Sequence, residues 1–99
     1  MVIVSTTSYP PEGANEMGKR FLALKPLPSY ITMKGPYVLA VKDDGIQTLA
    51  LYECEKSKLA DSFEAIGNRY TAFYGVPGFT NSIQVWLDIG EALKMIGLA

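Results

Sequence analysis

Histidine is absent from this chain, and its absence removes together the commonest general base, the commonest transition-metal ligand and the usual haem ligand. A Ser-His hydrolase is excluded and haem chemistry is disfavoured. Cysteine occurs once, as Cys54, so no intramolecular disulfide forms and a reducing compartment, the cytoplasm, is the expected location. Glu53 and Glu55 flank that cysteine. Neighbouring negative charge disfavours a thiolate, so Cys54 reads as an ordinary sheet cysteine and not as a nucleophile.

Charge is also scarce. Only 19% of residues are charged, the net charge is -1, and the Lys and Arg residues are scattered, which leaves no electrostatic footprint for nucleic acid or an anionic membrane. No apolar run approaches the roughly twenty residues that span a bilayer, and the opening Met1-Val-Ile-Val-Ser-Thr lacks the basic segment of a targeting signal. A soluble, untargeted protein is expected. Gly75-Val-Pro-Gly78 lacks the lysine and the strand-to-helix setting of a phosphate-binding loop. Asp43 and Asp44 are adjacent carboxylates, but with no further oxygen ligands at suitable spacing they read as turn residues, and no metal or cofactor is expected.

What remains is apolar. Hydrophobic residues make up 48% of a 99-residue chain, enough for a single domain over residues 1–99 with one modest core, and rich enough to point to association. Val2 to Ser8 reads as a β-rich first strand, closed by the turn chemistry of Pro10-Pro11-Glu12-Gly13. Ala14, Met17, Phe21 and Leu24 then recur at helical spacing, with Gly18 on the same stripe, until Pro26 and Pro28 stop the helix. Tyr30 to Met33 is extended, is interrupted by Gly35-Pro36 in the manner of a bulge or an edge, and resumes at Tyr37.

Lys42-Asp43-Asp44-Gly45 turns the chain into a third strand over 46–54. Ser57 is the expected N-cap of a second helix whose seam runs through Leu59, Phe63, Ile66, Tyr70 and Phe73. A last strand over 79–88 alternates Ile83, Val85 and Leu87 with Gln84 and Trp86, and residues 90–97 form a short terminal helix. The order is β-α-β-β-α-β with a helical tail. This is the α+β, ferredoxin-like arrangement, with a four-stranded antiparallel sheet carrying its helices on one side.

The register of the central hairpin decides which face meets the helices. A two- or four-residue loop sets Ala40 against Leu49 and Val38 against Leu51, and sorts Val38, Ala40, Leu49, Leu51, Ile83, Val85 and Leu87 onto a purely aliphatic helix side. Tyr37, Leu39, Val41, Thr48, Ala50, Tyr52, Gln84 and Trp86 then share the opposite face, too apolar for water yet bearing hydroxyl, amide and indole groups. A three-residue loop slips this assignment. Aromatic residues with a polar handle are enriched at interfaces and in ligand pockets, so Tyr37, Tyr52, Gln84 and Trp86 are the candidate ligand-binding residues. No residue is assigned a catalytic role. Tyr70 reads as core, and Arg69, on the edge of its seam, reads as solvated with the capacity to orient an anion.

The β-α-β-β-α-β order, the central hairpin leading to Leu49-Ala-Leu-Tyr-Glu53, the aromatic second helix and the final strand running into Gly90-Glu-Ala-Leu93 together resemble the dimeric α+β barrel superfamily of small proteins. The resemblance covers nearly the whole chain and lies in pattern, not in a diagnostic motif. It implies a homodimer whose two ferredoxin-like subunits press sheet to sheet. Members include cofactor-free monooxygenases, lactone isomerases, haem enzymes and amino-acid-sensing domains, so the resemblance implies assembly more than it implies a reaction. The expectation is a small cytoplasmic homodimer that binds an apolar small molecule between sheet and helices or at the sheet interface. The alternative is a cofactor-free oxygenase or isomerase acting on a hydrophobic aromatic or lactone substrate.

Overall fold

A computed structural model describes residues 1–43 and 45–98. The strands are β1 (Val2–Tyr9), β2 (Thr32–Val41), β3 (Gly45–Glu53) and β4 (Thr80–Trp86), and the helices are α1 (Ala14–Leu22), α2 (Leu59–Tyr70) and α3 (Ile89–Met95). The chain is α+β: the four strands form one open antiparallel sheet in the order β2-β3-β1-β4. β1 is central because its run of β-branched residues, Val2-Ile-Val-Ser-Thr-Thr, suits a strand paired on both sides. Its odd-numbered residues Ile3, Ser5 and Thr7 are buried and join Ala50 and Tyr52 of β3 beneath Met17, Ile66, Tyr70 and Phe73 of the helical layer.

β2 carries the expected interruption, with its register shifting between Lys34 and Tyr37. The hairpin that follows does not take the aliphatic-sorting register. Val41 pairs with Gly45, Ala40 with Ile46, Leu39 with Gln47 and Val38 with Thr48, so residues 42–44 separate the paired ends. Asp43 (φ 73°) and Gly45 (φ 87°) both adopt left-handed backbone, which suits a three-residue connection. Asp44, expected to be a turn residue, lies outside the described residues.

Relative to the expected pairing this is an odd slip, and an odd slip inverts a strand. Thr48, Ala50 and Tyr52 therefore face the helices, and Leu49 and Leu51 face away. β2 and β4 keep their expected sides, with Tyr37, Leu39, Gln84 and Trp86 on the uncovered face. The helix side is consequently not purely aliphatic, because Ser5, Thr7, Thr48 and Tyr52 bring hydroxyls to it.

Two details of α2 also differ from expectation. The helix begins at Leu59 after a single 3-10 turn over Lys56–Lys58, with Lys58 at the cap position and no side-chain cap bond, so Ser57 does not cap it. The Lys58 N–H instead donates to the Glu55 carbonyl at 2.9 Å, which satisfies an end group locally. The seam is turned toward Ser62, which is fully buried, and away from Phe63, which is partly exposed.

At the C-terminal end, Asp88 and Glu91 form a reciprocal capping box (Glu91 N–H to Asp88 Oδ1 2.8 Å, Asp88 N–H to Glu91 Oε1 3.1 Å). The Met1 amine pairs with Glu91 Oε1 at 2.9 Å. α3 is thus held at its start while none of its residues is buried. Among the described residues no helix is long and apolar enough to cross a membrane.

Candidate functional site

Between α1, α2 and the β2 side of the sheet lies a cleft of about 550 Å³, a size typical of small-molecule sites. Its existence follows from small side chains on both walls. On the sheet, Thr7 and Thr48 stand opposite each other on adjacent strands, their hydroxyls hydrogen-bonded to one another. On the helix, the stripe Ala14, Met17, Gly18 and Phe21 looks down on them at spacings of three, one and three residues, the rhythm of one helical face.

Gly18 is the key to the roof. A Cβ built on it would meet nothing within 4 Å, so in its own chain no close approach demands glycine there. Met33 and Pro36 of β2, at its register shift, and Phe73 complete the lining. α1 keeps its height above the sheet through Arg20, whose guanidinium donates to the carbonyls of Ala72 (3.1 Å) and Tyr74 (2.8 Å) while its Nε pairs with Glu16 (2.9 Å).

The polar end of the cleft is built from Tyr52, Tyr70 and Arg69. The two phenol oxygens are 2.9 Å apart and buried. Burial, seconded by the Tyr70 hydrogen bond, pushes the Tyr52 phenol well above the usual tyrosine range, with the nearby Arg69 guanidinium opposing the shift. Tyr52 is therefore a neutral hydrogen-bonding group at physiological pH and not a base. Arg69 donates from Nη1 to the Lys25 carbonyl at 2.7 Å. That bond ties α2 to the chain leaving α1 and leaves the remainder of the guanidinium at the cleft.

The candidate residues read from the sequence do not form one site. Tyr52 is 2% exposed beneath the helices, the reverse of its expected placement on the uncovered face, because the hairpin register inverts β3. Tyr37 (58% exposed) and Trp86 (56% exposed) do occupy the uncovered face, together with Gln84. They stand in different rows, however: Tyr37 aligns through Leu49 and Thr6 with Ser82, whereas Trp86 aligns through Val2 and Glu53 with Thr32. Three strand spacings and four residues of rise separate them by roughly 20 Å. Gln84 is nearer Trp86 than Tyr37.

Thr7, Thr48 and the open space at Gly18 were not legible as site features from the sequence. The available signal was Gly18 itself, a glycine on the apolar stripe of a helix where alanine is the more stable choice.

The uncovered face carries its side chains in cross-strand rows. Leu39, Gln47, Ser8 and Thr80 form one row, with the Ser8 and Thr80 hydroxyls 2.6 Å apart. Lys34, Leu51, Val4 and Gln84 form another, and the Lys34 ammonium pairs with Glu53 at 2.8 Å. Apolar side chains alternate there with hydroxyls, amides and one ion pair. Among the described residues no group of three or more Cys, Asp or Glu side chains is placed to hold a metal ion. Compared with protein-family models, curated proteins and solved structures, the chain matches none.

Proposed function

We propose that this protein is a homodimer of ferredoxin-like subunits joined sheet to sheet, in the manner of dimeric α+β barrels, and that each subunit binds a small apolar molecule in the cleft between its sheet and its helices. The strand order β2-β3-β1-β4, with a helix after β1 and another after β3, supports the ferredoxin-like assignment. The shape supports the pairing. The chain is a slab of 49 × 30 × 17 Å with a radius of gyration of 15.2 Å, against about 13 Å for a compact domain of this length. A two-layer slab bearing Tyr37, Leu39, Leu49 and Trp86 on its bare side would pair with a second copy into a four-layer unit. Covering that face with a second copy satisfies the two-fold, self-complementary geometry of most dimers. Cytoplasmic location belongs to the same reading, on the strength of the single free Cys54.

The observation that carries the binding role is the cleft, whose apolar walls end in three convergent polar groups, Tyr52, Tyr70 and Arg69. Binding is favoured over the oxygenase or isomerase alternative because that reading has Tyr37, Tyr52, Gln84 and Trp86 orient one substrate together, and Tyr52 is buried on the helix side while the other three stand on the opposite face. Native mass spectrometry of the purified protein tests both halves. The expected result is a mass of two chains together with a small apolar molecule released on denaturation. A lone chain without adduct at all concentrations overturns the proposal.

A further inference from the structure

We propose, building on the cleft reading above, that the ligand is a monocarboxylic acid with an apolar body, its carboxylate held between the Arg69 guanidinium and the Tyr52–Tyr70 phenol pair and its body lying under Gly18. The donor inventory of the cleft leads to this class. Two phenols carry two O–H groups, and one proton is used in the bond between them. The other group acting on the pair is the Arg69 guanidinium beside Tyr52, a donor that can take no phenol proton, so one O–H remains to donate although both rings are buried. A buried donor with no acceptor is costly until a ligand supplies one.

Arg69 supplies the charge. Its Nη1 donates to the Lys25 carbonyl, its head lies beside the Tyr52 phenol, and no carboxylate pairs with it among the described residues. The cleft lining contains no Asp or Glu to neutralise it. At this end of the cleft the Arg69 cation and the spare phenol O–H match the two oxygens of a single carboxylate, and the planar guanidinium suits that group. A dianion would bring one charge more than the site can balance in a largely apolar surround. Beyond the polar end the lining is mostly thioether, aliphatic and aromatic, its polar groups being the Thr7 and Thr48 hydroxyls, bonded to each other, and the Tyr9 phenol. The body of the ligand is therefore apolar. The space it occupies is the space opposite Gly18, where a side chain would otherwise enter the cleft.

The test compares two probes of one shape by calorimetry at neutral pH: 2-naphthoate and the uncharged 2-naphthalenemethanol. A hydrogen bond to a charged group predicts about tenfold or tighter binding of the carboxylate. Arg69→Gln removes that advantage and leaves the alcohol unchanged, and Gly18→Leu, placed where added atoms meet nothing, abolishes binding of both. Because Arg69 also ties α2 to Lys25, a second measurement uses the unaltered protein: naphthoate affinity falls with added salt while that of the alcohol does not. Equal affinity for the two probes, or a carboxylate preference insensitive to salt and to Arg69→Gln, overturns the carboxylate assignment while leaving an apolar cleft. Binding of neither probe, or binding of both unaffected by Gly18→Leu, overturns the cleft reading itself.

Discussion

The phenol oxygens of Tyr52 and Tyr70 meet at 2.9 Å, one ring carried by the third strand and the other by the last turn of the second helix. This single bond locks α2 to the sheet at the polar end of the cleft, and both rings belong to the buried cluster that includes Ile3 and Ile66. The same pair thus holds the fold together and shapes the site.

Tyr52→Phe leaves the buried Tyr70 hydroxyl without its partner. The expected cost is about 1–2 kcal/mol, seen as a melting temperature lower by roughly 4–8 °C for each kcal/mol in a domain of this length. Tyr37→Phe, on the uncovered face, should change stability by less than about 0.5 kcal/mol. Thermal unfolding followed by circular dichroism separates the two, and equal effects would contradict their placement on opposite faces.

Alkaline pH should weaken the fold through Tyr52. Burial and Tyr70 raise its pKa in the folded state, whereas the unfolded chain returns it to about 10. A folded value above the unfolded one means that the contribution is complete below about pH 10 and is lost as pH rises beyond it. Urea unfolding between pH 8 and 11 should show falling stability, and the slope should be shallower in Tyr52→Phe. An unchanged slope in that variant would assign the alkaline loss to other groups.

Leu49 reports on the hairpin register and on the proposed dimer at once. It projects from the uncovered face beside Tyr37 and Thr6, so Leu49→Glu should preserve the fold and, like Trp86→Glu, convert a dimer into a monomer by placing charge in an apolar contact. Sedimentation velocity gives the mass and circular dichroism the fold. A Leu49→Glu chain that unfolds would point to a buried Leu49 and reverse the register, and an undisturbed dimer in both variants would remove this face from the interface.

Two glycines should respond oppositely to alanine. At Gly45 the backbone is left-handed (φ 87°) and a Cβ would sit 2.8 Å from the Tyr9 carbonyl oxygen, so Gly45→Ala should cost on the order of 1–3 kcal/mol. Gly67 lies inside α2 with nothing within 4 Å of an added Cβ, and Gly67→Ala should gain about 0.5–1 kcal/mol from helix propensity alone. Denaturant midpoints measure both shifts. A loss at Gly67 would mean that the helix surface there meets something beyond its own chain.

Most elements of this molecule can be read from local pattern. The three-four rhythm of Ala14, Met17 and Phe21 and the prolines after Lys25 place α1, and β-branched runs place β1 and β4. Gly35-Pro36 marks the bulge in β2, because a residue that cannot donate interrupts a ladder wherever it sits. The alternation of Ile83 and Val85 with Gln84 and Trp86 correctly separates the two sides of β4, since that alternation depends only on the strand being extended. The Ser57 cap failed because a 3-10 turn satisfied the helix start through backbone alone, leaving the hydroxyl no role there.

The orientation of β3 and everything built on it lay beyond local pattern. Leu49 and Tyr52 are both apolar enough for either face, so composition was indifferent, and the choice fell to one residue of loop length set by the left-handed backbone of Asp43 and Gly45. That choice carried Tyr52 from the bare side to the helix side and brought it to Tyr70. The cleft depends further on distances between segments remote in the chain, Gly18 above Thr7 and Thr48, Arg69 beside Tyr52. Periodicity along a chain dictates which residues share a face, but the pairing of faces is settled by non-local packing, and it is there that the cleft of this protein arises.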